Sequence, residues 1–187
     1  MTVATNVSHD APVLEVEALH KYFPSRAGIF RKHVGDVHAV DGVSFSVKEM
    51  ETLGIVGESG CGKTTLGRTL MRIYEPTSGT VTYRGEDVTG ANAHRLRELR
   101  RNLQMVFQDP FASLNPRMPV QDIISEPLVV HGTDRKEARR MAADLLAAVG
   151  LSPEHGNRYP HEFSGGQRQR IGIARSLALN PDLVVLD

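Results

Sequence analysis

Apolar and polar residues alternate early in the chain. Val13-Leu14-Glu15-Val16-Glu17 sends its apolar side chains to one side of an extended backbone, which predicts a half-buried strand closed by Lys21-Tyr22-Phe23-Pro24. Val43, Phe45 and Val47 alternate with Ser44, Ser46 and Lys48 and predict a second strand with one wet face. Thr52-Leu53-Gly54-Ile55-Val56 has no such alternation and predicts a short buried strand. Turn chemistry at Glu75-Pro76-Thr77-Ser78-Gly79 precedes a short strand from Thr80 to Tyr83. Two further apolar runs are Leu103 to Phe107, ended by Gln108-Asp109-Pro110, and Asp182 to Leu186, ended by the carboxylate of Asp187. The stretch between the first two strands, Ser25 to Asp36, carries Arg26, Arg31, Lys32 and His33. It reads as a solvated loop rather than a basic surface for a partner or anionic lipid.

Between these runs the period changes to that of a helix. Leu66, Leu70 and Ile73 recur at i, i+4 and i+7. Arg95 to Arg101 suggests a basic, solvent-facing helix, and Val120 to Val130 a helix broken near Pro127. Asp134 to Val149 is the clearest amphipathic segment: Ala138, Met141, Ala142, Leu145, Leu146 and Val149 form its stripe, Thr133 is placed to cap it, and Gly150 to end it. After a connection from Ser152 to Phe163, Ser164 stands where an N-cap belongs. A helix follows from Gln167 to about Leu179, with Asn180-Pro181 as its stop. Strands alternating with helices predict an α/β core with a parallel sheet, preceded by antiparallel, half-wet strands. Met1 to Pro12 is polar and reads as a disordered lead-in.

Composition narrows the field. The 22 basic and 22 acidic residues cancel, so no global field draws the chain to nucleic acid. The one cysteine, Cys61, rules out an internal disulfide and fits a reducing compartment. No apolar run approaches the ~20 residues needed to span a bilayer. The eight histidines show no metal-ligand spacing, so no structural zinc is expected.

The candidate chemistry centres on Gly57-Glu58-Ser59-Gly60-Cys61-Gly62-Lys63-Thr64-Thr65, which fits G-x-x-x-x-G-K-[ST]. Gly57 and Gly62 free the backbone to curl into an anion nest. The expected strand before it and helix after it are the context such a phosphate loop requires, with the phosphate on the positive end of the helix. In that reading Lys63 reaches the β- and γ-phosphates, and the Thr64 hydroxyl ligates Mg²⁺.

Weaker signals lie around it. Asp187, at the carboxyl end of an apolar strand, is placed like the Mg²⁺-holding Asp of phosphate-loop proteins, although many buried strands end in Asp. Ser164-Gly165-Gly166-Gln167 opens a helix, either as an ordinary capped start or as a second anion site. Gln108 is either a polar strand end or a residue that orients water or touches the metal. Tyr22 or Phe23 either stacks on adenine or is a core or turn aromatic.

In this order and spacing the four motifs (phosphate loop, Gln108, Phe163-Ser164-Gly165-Gly166-Gln167, and Leu183-Val184-Val185-Leu186-Asp187) resemble the ATP-binding cassette ATPases. The resemblance runs from about Val13 to Asp187. Val106-Phe107-Gln108-Asp109-Pro110-Phe111-Ala112-Ser113-Leu114-Asn115-Pro116-Arg117 and Tyr159-Pro160-His161-Glu162 are similar to the oligopeptide and dipeptide importer ATPases. Tyr74 to Gly79 is similar to the second of that system's two ATPase subunits. The resemblance implies an α/β phosphate-loop NTPase fold with a mixed or parallel sheet, an antiparallel β subdomain and an inserted helical subdomain. The core would be residues 13–108 and 164–187, and the helical subdomain residues 109–163.

It also implies roles. Tyr22 would stack on adenine, while Gly57, Ser59, Gly60, Gly62, Lys63, Thr64 and Thr65 would hold the ATP phosphates. Thr64, Gln108 and Asp187 would hold Mg²⁺. Ser164, Gly165, Gly166 and Gln167 would meet ATP bound by the opposite member of a head-to-tail ATPase dimer. The implied partners are a second ATPase subunit, two membrane permease subunits and, indirectly, an extracytoplasmic solute-binding protein, with no nucleic acid. The implied place is peripheral, on the cytoplasmic face of the cell membrane. Phe163 departs from the usual Leu. In the family the residue after the strand-ending Asp is a catalytic Glu, and a switch histidine lies further on. With Asp187 last, the expectation for these 187 residues alone is ATP binding without turnover. A repair-type or translation-type cassette is disfavoured, because neither a long coiled coil nor a second cassette is in the chain.

Overall fold

The computed structural model describes residues 11–27, 32–109 and 113–187. Most of the expected lead-in, part of the basic stretch between the first strands, and Pro110 to Ala112 lie outside the described residues. The chain folds as two compact units, Met1–Leu96 and Arg97–Asp187.

The first unit is built on an antiparallel sheet of order β2-β1-β3-β4. Its strands are β1 (Leu14–Ala27), β2 (Lys32–Val47), β3 (Ser78–Tyr83) and β4 (Glu86–Asp87). The alternation expected at Val13 to Glu17 holds: Leu14 and Val16 are buried, Glu15 and Glu17 exposed. Both first strands run further than their patterns predict. Pro24 lies inside β1, opposite Asp36, and Lys21 to Phe23 are paired residues rather than a strand end. The stretch expected as a loop from Ser25 is largely ladder, with Ser25 opposite Gly35 and Ala27 opposite Lys32. Cross-strand pairing satisfies backbone groups whatever the side-chain pattern, and here it continues past several register shifts.

Helix α1 (Lys63–Leu70) buries Leu66 and Leu70. Ile73 does not continue its stripe. Met71 caps the helix, Arg72 turns to φ 47°, and Ile73 is exposed. The strand expected from Thr52 to Val56 is also corrected. Among the described residues no strand pairs with it, and Leu53, Ile55 and Val56 are exposed, Val56 to 94%. Strand structure needs a neighbouring backbone to complete its ladder, and apolar side chains alone do not supply one.

Helix α2 (Ala93–Leu99) carries the chain across the division between the units. In the second unit β5 (Leu103–Val106) and β6 (Leu183–Leu186) pair in parallel. Three helices make up most of the rest: α3 (Val120–Val130), α4 (Arg135–Ala148) and α5 (Gly165–Leu177). Ile123 and Ile124 of α3, Ala142 and Leu146 of α4, and Ile171 and Ala174 of α5 share one core with Leu114 and Phe163. Pro127 does not break α3, which runs through it. Asp134, not Thr133, caps α4: its carboxylate accepts from the backbone N–H groups of Lys136 and Glu137. Gly150, at φ 73°, follows the C-cap as expected. Strand β6 is not deeply buried, and Leu186 is 74% exposed.

Candidate functional site

The phosphate loop closes on its own lysine. The Lys63 Nζ donates to the carbonyl oxygens of Gly57 and Glu58, both at 2.7 Å, and lies 3.7 Å from the Cys61 Sγ. Three carbonyl and sulfur acceptors around one ammonium draw the loop into a ring at the start of α1. Gly62 caps that helix at φ 101° and has no side chain to accept from the first turn, where no acidic residue lies. A helix start with no acidic residue in its first turn suits an anion. Conformation requires a glycine at Gly62 but not at Gly57, which is not at positive φ. A Cβ on Gly62 would stand 2.0 Å from the Ala39 carbonyl oxygen, and one on Gly57 2.6 Å from the Cys61 sulfur. Ser59 and Gly60 are exposed in the loop, and Thr64 and Thr65 lie in the first turn of α1. The Thr65 carbonyl accepts from the Thr69 hydroxyl at 2.7 Å.

Tyr22 belongs to the same unit. Strand pairing sets it opposite His38, and the two rings stack with centroids 3.9 Å apart and planes 14° from parallel. The Tyr22 hydroxyl donates to the Asp41 Oδ1 at 2.5 Å. This hydrogen bond, with the nearby His38 and His20, holds the Asp41 carboxyl below the usual carboxylate range. The same bond pushes the Tyr22 phenol up. Phe23, the other aromatic considered for the base, meets Tyr74 edge to face with centroids 5.4 Å apart. Ala39, the residue after His38, is the one whose carbonyl faces Gly62. So β2 places His38, which stacks on Tyr22, next to the residue whose carbonyl meets the start of α1.

The other candidates are in the second unit. Leu186 pairs with Val106, and the Asp187 N–H donates to the Val106 carbonyl at 3.0 Å. Gln108 follows Val106 by two positions, so Gln108 and Asp187 come off the carboxyl ends of two adjacent parallel strands. That is the end of an α/β sheet where ligands gather. Ser164 caps α5 with a reciprocal pair: the Gln167 N–H donates to the Ser164 Oγ at 3.3 Å, and the Ser164 N–H donates to the Gln167 Oε1 at 2.9 Å. Gly165 and Gly166 are exposed, and a Cβ on either would meet nothing within 4 Å. Phe163 is buried in the helical core, edge-on to His155 at 6.0 Å.

Sequence reading missed His38 and Asp41. Their signal is the cross-strand register, which spacing along the chain does not carry.

The sequence profile described as ABC transporter matches residues 40–187. This chain belongs to the ABC transporter family. The cassette is 57% identical over 177 residues to the oligopeptide transport ATP-binding protein AppF of Bacillus subtilis, covering 94% of this chain and 54% of that relative. It is 50% identical over 181 residues to the glutathione import ATP-binding protein GsiA of Pectobacterium atrosepticum, covering 96% of this chain and 29% of that one. The cassette thus spans about half the length of the peptide-transport relative it matches. A dimeric ATP-binding cassette in a post-hydrolysis state, bound to ADP and Pi, superposes with a TM-score of 0.81 at 28% identity, covering 93% of this chain and 73% of that one. The expected α/β phosphate-loop ATPase fold is the fold of these neighbours. Among the described residues no helix is long and apolar enough to cross a membrane.

Proposed function

We propose that the cassette is part of the ATP-binding subunit of a peptide importer and couples ATP binding and hydrolysis to transport. The observation that carries this reading is the glycine loop wrapped around Lys63 at the uncapped start of α1. The names of the relatives point to peptides, with oligopeptide transport and glutathione import among them.

In this reading the Lys63 ammonium exchanges its carbonyl partners for the β- and γ-phosphate oxygens. Backbone N–H groups from Gly60 to Thr65 hold the rest of the phosphate chain, and Tyr22 stacks on the base. A Thr64 hydroxyl, a Gln108 amide carbonyl and an Asp187 carboxylate would each be an oxygen donor of the kind that suits Mg²⁺. The ion, when bound, would neutralise charge on the phosphate oxygens. Ser164, Gly165, Gly166 and Gln167 lie at an exposed helix start and would meet ATP held by a second cassette. Residues 109–163 would dock on a pair of membrane permease subunits at the cytoplasmic face, with a solute-binding protein delivering peptide on the other side. Closure over ATP and reopening after hydrolysis do work only if each ligand state favours one conformation.

The test is uptake of a labelled small peptide by source cells carrying Lys63→Ala. Uptake abolished, with the variant protein at normal abundance, is the expected result. Uptake at the unaltered rate would overturn the reading.

A further inference from the structure

Tyr22 is more constrained than an aromatic on a sheet surface needs to be. His38 covers one face of its ring at 3.9 Å. His20 meets it edge to face, with centroids 5.7 Å apart. Asp41 accepts its hydroxyl at 2.5 Å. Its backbone N–H donates to the Thr77 hydroxyl at 2.9 Å. Asp41 ties the group together, with His20 Nε2 at 3.5 Å from its Oδ1 and His38 Nδ1 at 3.7 Å from its Oδ2. The cluster sits largely in solvent: the side chains of His38 and Asp41 are 53% and 61% exposed. It therefore adds little to a hydrophobic core. Its effect is to fix the orientation of one ring.

A fixed ring matters where a ligand must stack. A free tyrosine gives up rotamer freedom when a base settles on it, and that loss subtracts from affinity. A ring already held by a neighbour's plane and by its own hydroxyl has lost that freedom beforehand. The cluster is also in the right place. The residue after His38 presents its carbonyl to Gly62, at the start of the phosphate-binding helix.

We propose that His38 and Asp41 are positioning residues for the nucleotide base: they hold the Tyr22 ring as a preset stacking surface beside the phosphate loop, with His38 on one face and the other face left for the purine. This rests on the nucleotide reading above and adds to it two residues that act through Tyr22. It separates the affinity of the site into a phosphate part set by the loop and a base part set by the cluster.

The test titrates the full chain with two probes, ATP and inorganic tripolyphosphate, which has the phosphates and no base. In His38→Thr, which keeps a strand-forming residue but removes the ring, ATP affinity should fall about fivefold. Tripolyphosphate affinity should stay within about twofold. His38→Phe restores the plane and should restore ATP binding. Asp41→Ala releases the hydroxyl and should act like His38→Thr. A variant that only damaged the hairpin would weaken both probes together and would not be rescued by Phe, and that outcome overturns the proposal. So does unchanged ATP binding in His38→Thr and Asp41→Ala. If the unaltered chain binds tripolyphosphate and ATP equally well, the base adds nothing and only this proposal falls. If it binds neither, the nucleotide reading fails and the proposal with it.

Discussion

The guanidinium of Arg175, near the end of α5, donates to the backbone carbonyl of Ser113 at 2.6 Å. Ser113 in turn donates its N–H to the Asp109 carbonyl at 3.2 Å, and Leu114 is buried in the core that α5 shares. The segment that leaves Gln108 is therefore tied to the helix that begins at Ser164. Burial lowers the Arg175 pKa and Glu126 opposes that shift, so the charge stays in place.

Arg175→Met should keep the packing volume and lose this charge-assisted bond, at about 1.5–3 kcal/mol of stability. Urea unfolding of the full chain reads that loss. Arg175→Lys should recover only part of it, because a single ammonium does not reproduce the planar fork. Equal stability of all three proteins would mean that the bond contributes nothing.

Gly62 and Gly60 both lie at positive φ, 101° and 81°, yet their surroundings differ. A Cβ at Gly62 would strike the Ala39 carbonyl, while one at Gly60 would meet nothing within 4 Å. Gly60→Ala should therefore cost only the backbone strain, about 1–2 kcal/mol. Gly62→Ala should cost more than that and also displace the start of α1, so that phosphate binding is lost. Thermal melts alongside ATP titrations separate the two. A Gly62→Ala protein that binds ATP normally would contradict the packing argument.

Ser164 has a structural role and a proposed functional one, and one substitution pulls them apart. Ser164→Ala removes the N-cap and should lower stability by about 1 kcal/mol. Ser164→Asp keeps a capping oxygen but places a carboxylate where the partner cassette's ATP is expected. Its stability should match that of the unaltered protein, while ATP hydrolysis by the assembled transporter falls. Full hydrolysis by Ser164→Asp would leave capping as the only role of Ser164.

The Tyr22–Asp41 contact sets a pH window. Asp41 is depressed below its ordinary 3.8, chiefly by the Tyr22 hydroxyl bond. Its contribution is therefore present above that value and lost as pH falls through the lowered one. Tyr22 is raised above its ordinary 10.0 by the same bond, so its contribution holds below that value and is lost as pH rises through the raised one. Phenolate absorbance should show Tyr22 titrating later than a free tyrosine. In Asp41→Asn that delay should shrink and the acid limb should disappear. A Tyr22 titration that is the same in both proteins would show that the bond does not form in solution.

Local rules settled much of this chain. The phosphate loop, the capping pair at Ser164 and Gln167, the stop at Gly150 and the alternation at Val13 to Glu17 all depend on residues close in sequence, so spacing alone exposes them. Where the pattern misled, the deciding partner was distant. Pro24 and Ser25 became strand because Asp36 and Gly35 lie across from them, and Thr52 to Val56 stayed unpaired because no described strand adjoins it. The pairing of β5 with β6 sets Asp187 beside the end of the strand that leads to Gln108, although some eighty residues separate them in the chain. The stack of His38 on Tyr22 likewise comes from register across a hairpin. Hydrogen-bond ladders and ring contacts join residues by position in space, and a one-residue slip would turn each side chain to the other face. Residue types and local spacing determined which groups are available for phosphate chemistry, and the non-local ladders decided which of them meet.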